Sequence, residues 1–475
     1  MHIVENLRAS YGAARRQTRR GSVSTQKPHV IYILSDEHRG QAMSHMAEPN
    51  LHTPAMDRLA MEGASFKRAY ANCPICTPAR GTIFSGRHAH AGPVAGFFDN
   101  YKASAPSTST ILRETGYHTA YFGKWHCGVV RNQKPPLVRA HPDEYKGDNM
   151  RTPERHRAGF QDWRAMECIN QHFASFYYKD RDINPTKIPG YEADGLTDLV
   201  IDYLKGYERE MPLFLVLSIN PPHFPLEVPA RWLRFNPEEL RVAPNFTDKP
   251  EMRASLAKYY AMIENLDWNV GRLMEAMRQL PRFANTLTVY FSDHGEFMGS
   301  HGLHCAKERP HEESVRIPAI FHWPGHIPER GRIPGLFSLV DLLATTLGLI
   351  GIDIPPHNQG TDFSPAVRGE PFESPEAVLL EMVGNPHWDL GLLDWRGVVT
   401  EGWKYAFYET GDELLFDLGN DPYEMDNLVR DKLHQRNSMK ELLLKMLAQT
   451  REPYFDVLIN HGVPSDESDI DVFLV

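Results

Sequence analysis

No stretch of this chain stays apolar for the ~18 residues needed to cross a bilayer, so nothing in it reads as a membrane span. Cysteine is scarce: five in 475 residues, an odd number that builds no disulfide framework and fits a reducing compartment. Basic charge is not in excess either. The net charge of −10 implies no broad positive surface for nucleic acid. Internal repeats and low-complexity tracts are missing. The one basic stretch is N-terminal, with Arg8, Arg15, Arg16, Arg19 and Arg20. Twin arginines suggest export, yet Gly21-Ser-Val-Ser-Thr-Gln-Lys27 stands where an apolar segment would have to follow. Residues 1–27 therefore read as a flexible basic tail, and the protein as cytoplasmic.

What is present is an ordinary globular composition, 41% hydrophobic and 24% charged, in a chain long enough for two or three domains. His29–Leu34, Tyr117–Phe122, Pro212–Ser218, Thr286–Phe291 and Arg316–Trp323 are short apolar runs of the kind buried on both faces of a sheet. Helical patterns alternate with them over Thr53–Gly63, the stretch from Cys76 to near Gly86, Ser109–Thr115, Leu196–Tyr207, Met252–Leu280 and Ser338–Ile350. This alternation predicts an α/β domain over 28–373 with a mostly parallel central sheet flanked by helices. An irregular insertion rich in aromatics interrupts it from about Arg131 to Tyr191. From 374 to 475 the pattern changes to short strands, Glu376–Met382, Trp395–Thr400, Tyr405–Tyr408 and Leu414–Leu418, and one helix over Asp431–Thr450. That predicts a smaller C-terminal α+β domain, an antiparallel sheet with a covering helix.

The chemistry concentrates first at Cys73-Pro-Ile-Cys76-Thr-Pro-Ala-Arg80-Gly. Thr77 is expected as a helix N-cap with Pro78 at the first helical position. Cys76 would then stand at a helix N-terminus, where free N–H groups favour negative charge, with Arg80 one turn in. A lone Cys-x-x-Cys more often marks a redox pair or half a zinc site, but no second pair follows and no thioredoxin-like context surrounds it.

Polar clusters sit at the ends of four apolar runs: Asp36-Glu37, Lys124 with His126, His223, and Asp293-His294. In open α/β sheets ligands bind outside the carboxyl ends of the strands, so clusters distant in sequence can converge. For a single histidine, a solvated loop residue would be the better reading; four strand ends in one sheet are harder to dismiss. Asp36, Glu37 and Asp293 offer oxygen ligands for a divalent cation, and His294 a nitrogen. Lys124, His126, His223 and Lys307 are left for protons and anionic oxygens.

These residues resemble the sulfatase family. Cys76-Thr-Pro-Ala-Arg80 matches its Cys-x-Pro-x-Arg signature, Gly123-Lys124-Trp125-His126 its Gly-Lys-Trp-His motif, and Ser292-Asp293-His294-Gly-Glu296 its second metal pair. Pro222-His223-Phe-Pro225, Lys307 ahead of Glu312-Glu313-Ser-Val-Arg316, and Glu413–Asn427 resemble further elements, so the likeness runs from about 28 to 430. Glu37 stands where the family usually has Asp or Gln, His311 replaces an aromatic, and His294 stands where many members have Asn.

The resemblance implies an alkaline-phosphatase-like fold and a hydrolase of sulfate esters, of a sulfated carbohydrate and also of aryl sulfates. It implies oxidation of Cys76 to formylglycine by a formylglycine-generating enzyme, the hydrated aldehyde being the nucleophile. One divalent cation is implied on Asp36, Glu37, Cys76, Asp293 and His294, calcium before manganese or magnesium. Arg80 and Lys124 would neutralise oxygens, His223 and Lys307 would position sulfate and protonate the leaving group, and His126 would deprotonate the second hydroxyl. His90, Asn100, His172 and His304 are weaker substrate-binding candidates. An oligomer is compatible with all of this. The alternative is a phosphonate monoester or phosphodiester hydrolase of the same superfamily; the remote alternative is an inactive protein that binds sulfated glycans.

Overall fold

The computed structural model describes residues 27–128, 151–384 and 393–450. Of the expected basic tail all but Lys27 lies outside them, as do residues 131–150 of the insertion and those after 450.

Apolar alternation explains the first strand. In β1 (His29–Asp36) Val30, Tyr32 and Leu34 enter one hydrophobic cluster, and Ile31 and Ile33 the cluster on the opposite face. The strands that follow are β2 (Ala64–Tyr70), β3 (His118–Lys124), β4 (Asp162–Met166), β5 (Phe176–Lys179), β6 (Thr186–Lys187), β7 (Leu213–Pro222), β8 (Thr286–Ser292), β9 (Arg316–Ile317), β10 (Ala319–His322) and β11 (Gly331–Ser338). They form one sheet in the order β11-β2-β10-β8-β1-β7-β3-β4-β5-β6, with β9 paired to β2. Its centre, from β8 through β1, β7 and β3 to β4, is parallel.

Both faces are covered, as a parallel sheet requires. Helices Pro54–Met61, Glu192–Lys205 and Pro250–Arg278 supply Met56, Leu59, Leu196, Val200, Leu266 and Val270 to one face. Helices Cys76–Ser85, Thr108–Glu114 and Leu342–Ile350 supply Ala79, Ile83, Leu112, Leu343 and Leu347 to the other.

Several local expectations are corrected. Ile75, not Thr77, is the N-cap of the helix Cys76–Ser85, and Cys76 is its first residue. Pro78 still falls in the first turn, where a missing N–H breaks no intrahelical bond. Thr53 is the N-cap of the helix that Pro54 opens, although its hydroxyl bonds Ser44 and Asp57 instead of a helix N–H. The run Arg316–Trp323 is two pieces, β9 and β10, separated by Pro318, and β10 is antiparallel to β8 and β2. β2 and β4 escaped the pattern because Lys67, Arg68 and Arg164 interrupt their apolar alternation.

The second sheet is antiparallel in chain order: β12 (Val378–Met382), β13 (Trp395–Val399), β14 (Trp403–Tyr408) and β15 (Glu413–Asp417). The helix Leu433–Thr450 lays Met439, Leu443 and Leu447 on one face. Leu380, Met382, Trp395 and Phe416 on the other face pack with Tyr70, Cys73, Ile75 and Val315. This sheet therefore props the segment that leads into Cys76, and Trp395 Nε1 donates to the Glu308 carbonyl at 2.8 Å beside Lys307.

Buried charge reinforces that seam. Lys404 Nζ lies 2.8 Å from Glu312 and 2.7 Å from Glu424, all three buried. Removing one partner strands the others without water, which costs about 3–5 kcal/mol. Lys404→Ala is therefore expected to lower unfolding stability by about that amount. Urea denaturation would check it, and a loss within about 0.5 kcal/mol, as at an ordinary surface position, would show that the cluster is hydrated instead.

Candidate active site

The parallel centre brings the polar clusters together. β8, β1, β7 and β3 are successive neighbours, and they end at Ser292, Asp36, Pro222 and Lys124. Asp293 and His294 follow β8, His223 follows β7, and the helix carrying Cys76 and Arg80 starts above the same edge. Gly123, at φ 96°, has the Ser218 carbonyl where a Cβ would stand, so only glycine lets β3 approach β7 there.

Cys76 is the focus. Its Sγ lies 3.1 Å from His294 Nε2, 3.6 Å from Asp36 Oδ1, 3.6 Å from Lys307 Nζ and 3.9 Å from Lys124 Nζ. Burial, then the Asp36 charge, pushes its thiol up to about 12. A thiol held there is protonated and a poor nucleophile at neutral pH. Cys73 belongs to the core packed against the second sheet, and neither cysteine is in a disulfide. The redox reading thus loses its second thiol.

Arg80 works from behind. It is fully buried, with Nε 2.9 Å from Asp293 Oδ2, Nη2 3.2 Å from Asp36 Oδ2, and Nη1 donating to the Lys124 carbonyl at 2.7 Å and Ser218 Oγ at 3.0 Å. Lys124 Nζ lies 2.5 Å from Asp36 Oδ2 and donates to Asn220 Oδ1 at 3.1 Å. Burial alone would raise the Asp36 carboxyl, but the Lys124 ammonium and the Arg80 guanidinium beside it hold it well below the usual carboxylate range.

The ligand atoms of Asp36, Cys76, Asp293 and His294 all lie within 4.8 Å of one another, and all four residues are buried. His294 Nδ1 donates to the Gly295 carbonyl at 2.9 Å, because a carbonyl only accepts. In the neutral ring Nε2 then aims its lone pair at Asp36 Oδ1, 3.5 Å away, and Asp293 Oδ1, 3.8 Å away. Two carboxylate oxygens, an imidazole nitrogen and position 76 converging in one buried cluster are donors of the kind that divalent cations take. The residues fit a divalent cation on that ground.

Glu37 faces a neighbouring cluster. At φ 64° its carboxylate turns to Lys307 Nζ, with which it pairs closely, and to His223 Nε2 at 3.3 Å. Lys307 Nζ also lies 3.3 Å from His223 Nε2. Burial, with Lys307 and Lys124, holds His223 well below its ordinary value. Burial would lower Lys307, but the carboxylates of Glu37 and Asp36 keep it well above the normal lysine value. A neutral imidazole and a cationic lysine therefore stand side by side.

The remaining candidates scatter. His126 follows β3 at φ 59°, its ring edge-on to Phe97 at 5.3 Å. His172 Nε2 donates to the His223 carbonyl at 2.8 Å, so it braces the site from one layer out. His90 Nδ1 meets Glu381 at 2.7 Å under the second sheet. Asn100 pairs with His156, and exposed His304 with Ser255. Ser218 and Asn220 were not singled out in advance. They lie two residues apart on β7, the spacing that places both on one face, and that was the available signal.

The comparisons agree with this geometry. The sulfatase family model matches residues 28–352, and a model for the C-terminal part of N-sulphoglucosamine sulphohydrolase matches 299–452. An ulvan-active sulfatase of Formosa agariphila is 31% identical over 447 residues, covering 90% of this chain and 82% of that protein. A Bacteroides thetaiotaomicron structure from a locus for metabolism of multiple glycosaminoglycans superposes with a TM-score of 0.82 at 25% identity, covering 92% of this chain and 100% of the other. The phosphonate monoester hydrolase of Agrobacterium radiobacter shares the fold, with a TM-score of 0.70 at 23% identity over 89% of this chain and 96% of its own. The signature around Cys76, the strand-end clusters and a family match across two-thirds of the sequence converge on one statement: this chain belongs to the sulfatase family.

Proposed function

We propose that the protein is a formylglycine-dependent, metal-dependent sulfatase acting on sulfated carbohydrate, and on aryl sulfates as simpler esters. The observation that carries this is position 76, with two lysine ammonium groups within 3.9 Å of its Sγ and Asp36 and His294 within 3.6 Å. A plain thiol pushed up to about 12 has little use for that arrangement. Formylglycine at 76, made by its generating enzyme, supplies when hydrated one hydroxyl to attack sulfur and a second to expel sulfate. A divalent cation, calcium before manganese or magnesium, supplies positive charge among Asp36, Asp293, His294 and position 76, and its donor set is oxygen-rich with no thiolate cluster.

The chain's own residues do the rest. Lys124 and Lys307 flank position 76 and neutralise sulfate oxygens in a site dry enough for charge to count strongly. Arg80 clamps Asp36 and Asp293, so both carboxylates keep their orientation. Lys307, held by Glu37 and beside His223, is placed to give a proton to the departing oxygen. Asn220 fixes the Lys124 ammonium. His126 is assigned the proton of the second hydroxyl.

Charge separates sulfate from phosphorus substrates in part. Lys124, Lys307, Arg80 and the cation face Asp36, Glu37 and Asp293, which is not an unusually positive balance and suits a singly charged ester better than a phosphate monoester dianion. A matched set of aryl sulfate, aryl phosphonate monoester and phosphodiester is expected to show kcat/KM highest for sulfate. Preference for phosphorus on every pair, with no sulfated sugar turned over, would reverse the assignment to a phosphonate or diester hydrolase. Binding of sulfated sugars without turnover of any ester would make the chain an inactive glycan-binding protein.

A further inference from the structure

His223 is followed directly by Phe224, whose ring stacks on the His223 imidazole at 4.4 Å and 26° yet is 36% exposed. His172, which donates to the His223 carbonyl, is likewise followed by an exposed ring, Phe173, at 46%. That hydrogen bond places the two segments side by side. Phe173 rests against Tyr191 at 5.2 Å, and Tyr191 is buried, so the ring has firm support below it. Single exposed rings are ordinary on a protein surface; what sets these two apart is that each directly follows one histidine of a hydrogen-bonded pair at the site.

We propose that Phe224 and Phe173 form an aromatic platform for the apolar faces of consecutive pyranose rings on the leaving-group side of the site. The proposal rests on the carbohydrate sulfatase reading above and names the subsite that would select the alcohol. The argument is positional. His223 and Lys307 are the groups nearest the departing oxygen in that reading, so the ring bearing that oxygen must pass the residue next to His223. Aromatic faces are electron-rich, and the axial C–H bonds of a pyranose present a slightly positive surface to them. Phe224 takes the sulfated ring itself. Phe173, one segment further out, takes the next sugar.

The test compares wild type, Phe224→Ala, Phe224→Trp and Phe173→Ala on two kinds of ester. The first is a panel of galactose 6-sulfate, galactose 4-sulfate, N-acetylglucosamine 6-sulfate and disaccharides ending in them. The second is choline sulfate, an acyclic ester with no ring face. Phe224→Ala is expected to cut the ratio of sugar to choline sulfate kcat/KM roughly tenfold, chiefly through KM, with Phe224→Trp restoring it. Phe173→Ala is expected to lower the ratio of disaccharide to monosaccharide kcat/KM. Equal losses on both kinds of ester for Phe224→Ala would mean that the ring only supports His223, which overturns the platform. Wild type that hydrolyses choline sulfate and aryl sulfate but no sugar would instead overturn the carbohydrate reading, and the platform with it.

Discussion

Cys76→Ala is expected to lower kcat/KM on an aryl sulfate by about 10⁴-fold or more, the scale seen when a covalent nucleophile is removed from a unit of cooperating groups. Alanine keeps the helix that begins at Cys76 and leaves Arg80, Lys124, Asp36 and Asp293 in their mutual pairs, so the fold should survive. Thermal unfolding of the variant checks that point. Cys76→Ser gives a sharper comparison. A serine could accept sulfate but has no second hydroxyl to expel it, so a stable sulfated enzyme and less than one lasting turnover are expected. Peptide mass spectrometry of active wild type should find an aldehyde at position 76 in proportion to specific activity. Fully active protein carrying only unmodified cysteine would sink the assignment.

Removal of divalent cations is the second large effect. Exhaustive chelation is expected to reduce activity at least about 100-fold, since charge stabilisation by a metal contributes several kcal/mol to such reactions. Calcium should restore it ahead of manganese and magnesium. Stability should move as well. A cation held by Asp36, Asp293 and His294 binds only the folded site, so the melting temperature should fall on chelation and recover on adding calcium. Asp293→Asn should weaken both responses, because it removes a charged ligand and one arm of the Arg80 clamp. Full activity after chelation, with no ion detected by elemental analysis, would remove the metal from the scheme.

The strongest apolar strands, the second antiparallel sheet with its helix, and the association of Cys76 with Asp36, Asp293, His294 and Lys124 were all readable in the chain itself. The reason is physical. A strand such as β1, buried on both faces, must be nearly continuously apolar, so its end is marked by the first polar residues, Asp36 and Glu37. Parallel pairing then puts such ends along one edge whatever their distance in sequence. The strands β2, β4 to β6 and β11 were invisible because charged or turn residues break their apolar pattern, so non-local pairing, and not local pattern, makes them strands.

Only the tertiary structure decided where side chains of equal chemical promise point. Glu37 is as good a ligand on paper as Asp36, and its left-handed backbone sets it on Lys307 and His223 while its carboxylate stays within 4.8 Å of the ligand atoms of Asp36 and His223. Arg80 looks wholly free to meet a substrate oxygen, yet Asp36, Asp293, Ser218 and the Lys124 carbonyl take four of its N–H groups. His90, Asn100 and His304 resemble site histidines and amides in sequence, but Glu381, His156 and Ser255 hold them elsewhere. Local sequence determines which residues end a strand; which partner each one meets depends on the register between strands and on loops far away in the chain, and those are settled only when the whole sheet closes.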